Sequence, residues 1–475
     1  MSTAPVDLVV VGGGLAGLAA AVRSSELGLN VIVLEAGAED RYLCNSRIAM
    51  GFFNVAFRDI GQSEEELRRG INAVTLNTAD PELVETFVQN VGRALNWLRS
   101  LGIRVIPGNW RPGMAAMLTP PAAIGAGLRW PGRGPDQMLR RLEALLIANG
   151  GRLIRAARAR RLIMCADQCC GVIADTAKGR VEFLAEAVLI ADGGFQNSAE
   201  LIREFITERS DRVLMRSAGT AVGDGMRMAL EVGAATIETN NFYGHVQSAD
   251  ALHNPRLWPY PTLDHLISAG ILVNAEGKRF VDEGLGGVYV ANVMARQTDP
   301  LGAVVIFDRY IWNGRARDFP LPANPLLAMC GAKVYRGETL HDLALAANLP
   351  INSLSDTIAE YNASVLAERT QLLSPERSSH LHKPIQIVNS PFFATQAVAG
   401  VTYTMGGIAI DGKARVKHQA GGVIRNLFAA GSTTGGHEGG PSVGYTGGLS
   451  KALTFGWCAA HAIAKHHAPN NRKLN

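Results

Sequence analysis

Apolar and polar positions along the chain alternate in three patterns, and each predicts a different kind of element. Continuous apolar runs that end in glycine or acid, at residues 6–11, 31–35, 187–195 and 426–431, read as strands buried on both faces. Apolar residues at helical spacing beside acidic ones predict amphipathic helices over 63–70 and 81–101, the first opened by Ser63 as its N-cap. Residues 135–149 read as a further helix that stops at Gly150-Gly151, and 447–464 begins glycine-rich and becomes an apolar helix. Alternating short runs at 152–161, 171–175 and 181–186 predict a small antiparallel layer. Residues 41–51 are small, polar and too irregular for a core element, and the Pro- and Gly-rich 107–135 reads mainly as loop.

From about residue 240 the pattern changes. Loops with aromatic and His residues at 242–245 and 258–260 lead into 270–280, and a helical pair is expected around 340–366. A strand pattern returns after Phe392-Phe393-Ala394. A chain of 475 residues exceeds one typical core, so the reading is an α/β domain formed by 1–240 and 391–475, interrupted by an inserted domain at 241–390.

The first strand runs straight into Gly12-x-Gly14-x-x-Gly17 and an Ala-rich helix. In that context the glycines supply a tight turn, close approach of a pyrophosphate to bare backbone, and close helix–strand packing. The helix N-terminus offers free amides to phosphate. Glu35 ends the next strand, where an acid would hydrogen-bond a ribose diol. Together these predict a dinucleotide site. Asp224, near the start of a helix opened by residues 219–226, is either an N-terminal cap or a cofactor contact.

Composition narrows the class further. With 47% hydrophobic and 19% charged residues the chain can bury a large interior. A net charge of +4, with no basic run interleaved with aromatics, gives no reason to expect nucleic acid as a partner. No uncharged apolar run is long enough for a membrane span, and the N-terminal run lacks the basic flank of a secretory signal. The six cysteines at 44, 165, 169, 170, 330 and 458 show no metal-ligand spacing, so no metal site is expected. They read as reduced thiols of a cytoplasmic protein.

The ordered set of motifs resembles the fumarate reductase/succinate dehydrogenase flavoprotein family. The matching pieces are the N-terminal fingerprint ending in Glu35, 191–195, Gly223-Asp224-Gly225, 274–280, Thr404-Met405-Gly406-Gly407 and the turn Ala429-Ala430-Gly431. The resemblance implies a Rossmann-like FAD-binding domain interrupted by a smaller α+β cap domain, with a small-molecule substrate held between the two beside the flavin. FAD is therefore the expected cofactor, ahead of a nicotinamide, for which no second fingerprint is seen. The implied contacts are Gly12, Gly14, Leu15, Ala16, Gly17, Glu35 and Ala36 at the fingerprint, and Asn45, Ser46, Met50 and Gly51 in the following loop. Further along they are Ala191, Gly193, Asp224, Gly431, Ser432, Gly448 and Leu449. Cys44 stands near the place where succinate dehydrogenases attach FAD through a His, and is read as an ordinary small thiol.

The chemistry implied is hydride transfer between flavin N5 and a CH–CH or C=C bond next to a carboxylate or ketone, with a protein group moving the second proton. Departures from the family bear on substrate. No Arg follows Phe280-Val281-Asp282-Glu283, Tyr403 stands where fumarate-reducing members tend to carry His, and 439–448 lacks their carboxylate-clamping Arg. Fumarate reduction by the usual apparatus is thus not expected, since Tyr cannot replace a guanidinium. The remaining candidates for catalysis are Tyr243, His245, Tyr289, Tyr403, His437 and Tyr445. Branches with such departures include 3-ketosteroid dehydrogenases and tricarballylate dehydrogenases, the loop at 44–51 looking nearer the second. An Arg47, Arg129 or Arg279 in the cavity would favour an acid, and an aromatic, uncharged cavity a ketone. Electrons would pass to or from a diffusible acceptor or donor, because no haem or iron–sulfur attachment motif is present. The alternative is an electron-transfer or regulatory flavoprotein with no small-molecule substrate of its own.

Overall fold

The computed structural model describes residues 4–108, 115–121, 127–318 and 322–466. Two sheets organise it. In the first, five strands lie side by side and parallel in the order Arg152–Ile154, Val31–Leu34, Val6–Val11, Gly179–Ile190, Val423–Ala429, with Arg415–Lys417 antiparallel at the edge. Their apolar runs are buried almost completely, as a sheet covered on both faces requires. The helices Leu15–Glu26 and Gly448–His466 pack on one another, which brings the two ends of the chain into one core.

Residues 181–186 and 187–195, expected as separate strands, are one element as far as Ile190. Gly179–Ile190 pairs antiparallel with Gln168–Thr176 through its first half and parallel with Val6–Val11 through its second. One extended run serves two layers because its alternating half faces water and its continuous half is buried. The antiparallel layer is completed by Arg158–Cys165, whereas Arg152–Ile154, expected in that layer, joins the parallel sheet beside Val31–Leu34.

The second sheet is built on the long strand Phe392–Thr404, which pairs with Leu214–Met215, Phe242–Ser248, Val304–Asp308 and Tyr335–Gly337, Ile271–Val273 lying beyond Val304–Asp308. Its apolar core draws on residues 195–226 as well as 242–401. The inserted segment expected at 241–390 and the second sheet therefore differ at both ends, since Leu214–Met215 and Phe392–Thr404 lie outside it.

Helices Pro81–Ser100, Gly134–Ala148, Leu340–Ala347 and Ile351–Leu366 lie where the pattern places them, and Glu64–Thr75 begins as expected but runs five residues past Gly70. Ser63 closes a capping box with Glu66, as N-cap chemistry dictates. Residues 41–51 depart from their reading as a non-core loop: Asn45–Ile48 forms a short helix, and Arg47 is fully buried, with Asp136 at 2.5 Å and Glu143 at 2.7 Å. An anchor made of ion pairs leaves no apolar pattern to read. Within 107–135 the strand Ala116–Leu118 is present, and 109–114 and 122–126 lie outside the described residues.

The expectation of reduced thiols fails at one pair, because Cys165 and Cys170 are joined in a disulfide. Arg158–Cys165 and Gln168–Thr176 form a tight hairpin that sets Cys165 against Gln168, and the two cysteine Cα atoms lie 6.0 Å apart. Cys44, Cys169, Cys330 and Cys458 are free. Among the described residues no helix is long and apolar enough to cross a membrane.

Candidate active site

The carboxyl ends of the parallel strands open into a cavity of about 340 Å³. That volume falls in the range of small-molecule sites, and its position is where open parallel sheets bind ligands. Gly12 turns the chain there with φ +103°, and a Cβ on it would sit 2.6 Å from the Ala191 carbonyl oxygen. No side chain caps the helix Leu15–Glu26; the hydroxyl of Ser46 takes the Leu15 amide at 3.1 Å. Glu35 is fixed by the amides of Gly13 at 2.8 Å and Gly37 at 2.7 Å. Burial raises its pKa against the pull of those two bonds. Each carboxylate oxygen still has a lone pair to offer.

Of the residues expected to contact cofactor, thirteen line this cavity: Gly12, Gly14, Leu15, Ala16, Glu35 and Ala36 from the first turn, Asn45 and Ser46 from the short helix, and Ala191, Gly193, Asp224, Gly431 and Ser432 from the later turns. Gly17 instead packs the helix on the strand, since a Cβ on it would meet the Gly12 carbonyl oxygen at 2.0 Å. Met50, Gly51, Gly448 and Leu449 are not in the lining. Asp224 does not cap its helix; it accepts from Arg158 Nε at 2.6 Å.

Sequence reasoning missed several lining groups, among them Asp192, Gln196 and Thr220. Burial pushes the Asp192 carboxyl up to about 7, even though the Gly225 amide donates to it at 2.7 Å. Gln196 buries a side-chain oxygen with no partner. All three sit in or beside glycine turns that the motifs had already marked. Cys44 also lines the cavity, and burial pushes its thiol up to about 12. The glycine cradle, the fixed acid and the unpartnered Gln196 oxygen suit a dinucleotide with phosphates, ribose hydroxyls and ring N–H groups.

Beside the cavity stands a cluster of rings. Tyr243 and Tyr403 face each other across paired strands with centroids 5.2 Å apart, and Tyr445 stacks on Tyr243 at 4.2 Å. The Tyr243 hydroxyl lies 3.0 Å from Nε2 of His245, whose Nδ1 makes a short contact with Asp264. Burial alone would raise the Asp264 carboxyl; the His245 charge and hydrogen bond, with the Val246 amide, hold it below the usual range. Tyr403 donates to Glu438 at 3.0 Å, and the other oxygen of Glu438 meets Lys451 Nζ at 3.0 Å. Burial raises the pKa of Tyr243 and of Tyr403, with the Glu438 charge adding to the shift at Tyr403, so both phenols are neutral. The Tyr445 oxygen accepts from the Gly448 amide at 3.0 Å, and burial pushes that phenol up to about 12.

Tyr289 packs at the edge of this cluster. His437 lies behind it, held by Thr446 at 2.9 Å and packed edge-on against Phe87. Burial pushes the imidazole down to about 3. None of the three arginines proposed as discriminators lines the cavity: Arg47 and Arg279 are paired with acids, and Arg129 is exposed. The ring cluster and the cavity adjoin through Asn45, a lining residue that donates to the Thr402 carbonyl at 2.7 Å, one residue from Tyr403.

A glycine-cradled cavity at the carboxyl ends of a parallel sheet, with an acid fixed at the end of the second strand, has the geometry of a dinucleotide-binding site. The chain belongs to the FAD binding domain family, whose model matches residues 7–444, the flavoprotein family of fumarate reductases and succinate dehydrogenases that its motifs resemble. It is 25% identical over 486 residues to a fumarate reductase (cytochrome) of Shewanella frigidimarina, covering 98% of this chain and 78% of that protein. A urocanate reductase of Eggerthella lenta is 26% identical over 463 residues, with 91% of this chain and 70% of that protein covered. In fold it matches a 3-ketosteroid-Δ4-(5α)-dehydrogenase from Rhodococcus jostii RHA1 with a TM-score of 0.74 at 21% identity, over 98% of each chain. The chain is an FAD-dependent oxidoreductase of the class acting on CH–CH and C=C bonds.

Proposed function

We propose that this protein adds or removes a carbon–carbon double bond next to a carbonyl group of a small molecule, with Tyr243 moving the proton. The observation that carries this reading is the chain of contacts from the Tyr243 hydroxyl to His245 Nε2 at 3.0 Å and from His245 Nδ1 to Asp264. Bound FAD supplies the hydride donor or acceptor. The cavity residues Gly12, Gly14, Glu35, Asn45 and Ser46 would hold it, and the helix N-terminus after Gly14 would favour its phosphates.

With Nδ1 protonated on Asp264, neutral His245 accepts from the phenol through Nε2 and can take the proton that Tyr243 loses; only the doubly protonated imidazolium, with Nε2–H, can return one. Tyr403 is differently committed. Its O–H points at Glu438, which leaves it an acceptor and a wall of the site rather than an acid. The Tyr445 oxygen is engaged by the Gly448 amide and by the Asn54 side chain, which fixes the ring as a wall of the site. A diffusible donor or acceptor serves the second half-reaction.

The test is anaerobic addition of succinate, tricarballylate and a 3-ketosteroid to the holoprotein while flavin absorbance is followed. With whichever compound bleaches the flavin, Tyr243→Phe slows bleaching by about 10²–10⁴-fold with flavin content unchanged, the usual contribution of a positioned acid or base. A Tyr243→Phe protein as fast as the parent removes the relay.

A further inference from the structure

Four arginines are buried among the described residues: Arg47, Arg216, Arg279 and Arg377. Arg47 is paired with Asp136 and Glu143, and Arg279 with Glu283, which Arg377 also approaches at 3.9 Å. The buried Lys451 likewise has Glu438. Arg216 is the exception. Its partners are the Pro259 carbonyl oxygen at 3.0 Å, the Thr402 hydroxyl at 2.9 Å and Tyr260, whose ring lies 4.9 Å from the guanidinium carbon. All are neutral. Burying a guanidinium with no acid nearby is costly, and each of the other buried arginines and Lys451 has a carboxylate within 4 Å, although the hydrogen bonds of Arg377 itself go to carbonyl oxygens.

The exception stands at the candidate substrate site. Arg216 follows the short strand Leu214–Met215, and its amide donates to the Val401 carbonyl oxygen at 2.7 Å, two residues before Tyr403. Its side chain passes over Gly400, the residue paired with His245. The Thr402 that it holds by the hydroxyl is held by its carbonyl from Asn45 of the cofactor cavity. The positive charge thus lies near the Tyr243–His245 pair, one shared residue, Thr402, from the cavity's Asn45, and it opposes the rise in the Tyr243 pKa that burial causes.

We propose that Arg216 is the carboxylate-binding residue of this site, so that the substrate is a carboxylic acid and the missing anionic partner is the substrate itself. A planar guanidinium matches a carboxylate with two parallel hydrogen bonds, and that match discriminates an acid from its neutral analogue. The proposal rests on the reading of the tyrosine cluster as the substrate site.

The experiment is an anaerobic titration of the holoprotein, following perturbation of the flavin spectrum by three acids and their amides: fumarate and fumaramide, crotonate and crotonamide, cinnamate and cinnamamide. At least one acid is expected to bind ten-fold or more tighter than its amide. Arg216→Gln is expected to weaken that acid by 10- to 100-fold and leave the amide unchanged, with Arg216→Lys in between and flavin content equal in all three proteins. Amides that bind as well as acids, acids that do not bind at all, or an Arg216→Gln protein within two-fold of the parent would each overturn the proposal. Tyr243→Phe separates the two ideas. It slows flavin bleaching by about 10²–10⁴-fold without moving the acid-to-amide ratio if both hold, and leaves bleaching as fast as the parent's with the ratio intact if the relay alone is wrong.

Discussion

Two tyrosines that look alike in sequence have different partners, and the proposed mechanism gives them different jobs on that account. Tyr243 faces an imidazole, which takes or returns a proton, whereas Tyr403 faces a carboxylate that is itself fixed by Lys451. The Glu438–Lys451 pair is almost wholly buried, with Lys451 also donating to the Thr434 carbonyl oxygen at 2.8 Å. Removing one member of such a pair strands the other charge in a dry interior. Lys451→Met is therefore expected to lower unfolding stability by about 3–5 kcal/mol, and the double change Lys451→Met with Glu438→Gln to lower it by less. Urea unfolding of the two variants beside the parent checks this; equal losses would mean that the pair is not coupled. The phenols and His245 were legible because they flank sequence motifs. Their partners Asp264, Glu438 and Lys451 were not, and neither was Arg216, because each acts across a distance in sequence that no local pattern records.

At the scale of elements, what could be read was whatever repeats at a strand or helix period. Four of the five parallel strands announced themselves by continuous apolar runs, and the amphipathic helices by their faces; Arg152–Ile154, too short for such a run, read as part of the antiparallel layer. The helix at Asn45–Ile48 and the double pairing of Gly179–Ile190 stayed hidden, the first because ion pairs anchor it, the second because two patterns run on without a break. Glycine positions can be ranked by what surrounds them. A Cβ at Gly17 would meet backbone 2.0 Å away, so Gly17→Ala must push the first helix off its strand. The expected cost is about 1–3 kcal/mol, with weaker flavin retention. Gly92, inside Pro81–Ser100, has nothing within 4 Å and an ordinary φ, so Gly92→Ala is expected to stabilise by up to about 1 kcal/mol. Thermal unfolding with flavin content as a second readout distinguishes them, and shifts of the same sign would refute the packing argument.

For the whole molecule, the buried titratable groups set how stability depends on pH. His437 sits between Phe87 of the first core and the Glu438 network, and burial, aided by the Lys451 charge, pushes its pKa down to about 3 from 6.5. Between those two values the unfolded chain binds a proton that the native state refuses, so stability falls as pH falls. His382, pushed down to about 4 by burial and by neighbouring arginines, acts in the same direction. Asp192 opposes them. Its carboxyl, pushed up to about 7, keeps its proton in the native state where the unfolded chain has lost it, which favours folding as pH falls from 7 towards 4. The raw pH profile therefore mixes signs, but a difference between proteins isolates one group. The stability of the parent relative to His437→Asn is expected to shrink by about 2 kcal/mol between pH 7 and pH 5, the integral of one proton taken up by a group with an unfolded pKa of 6.5. Urea unfolding at pH 7, 6 and 5 measures it. A difference that stays constant over that range would place His437 in water rather than behind the tyrosines, and with it would go the picture of a dry wall that keeps Tyr403 and Glu438 out of solvent.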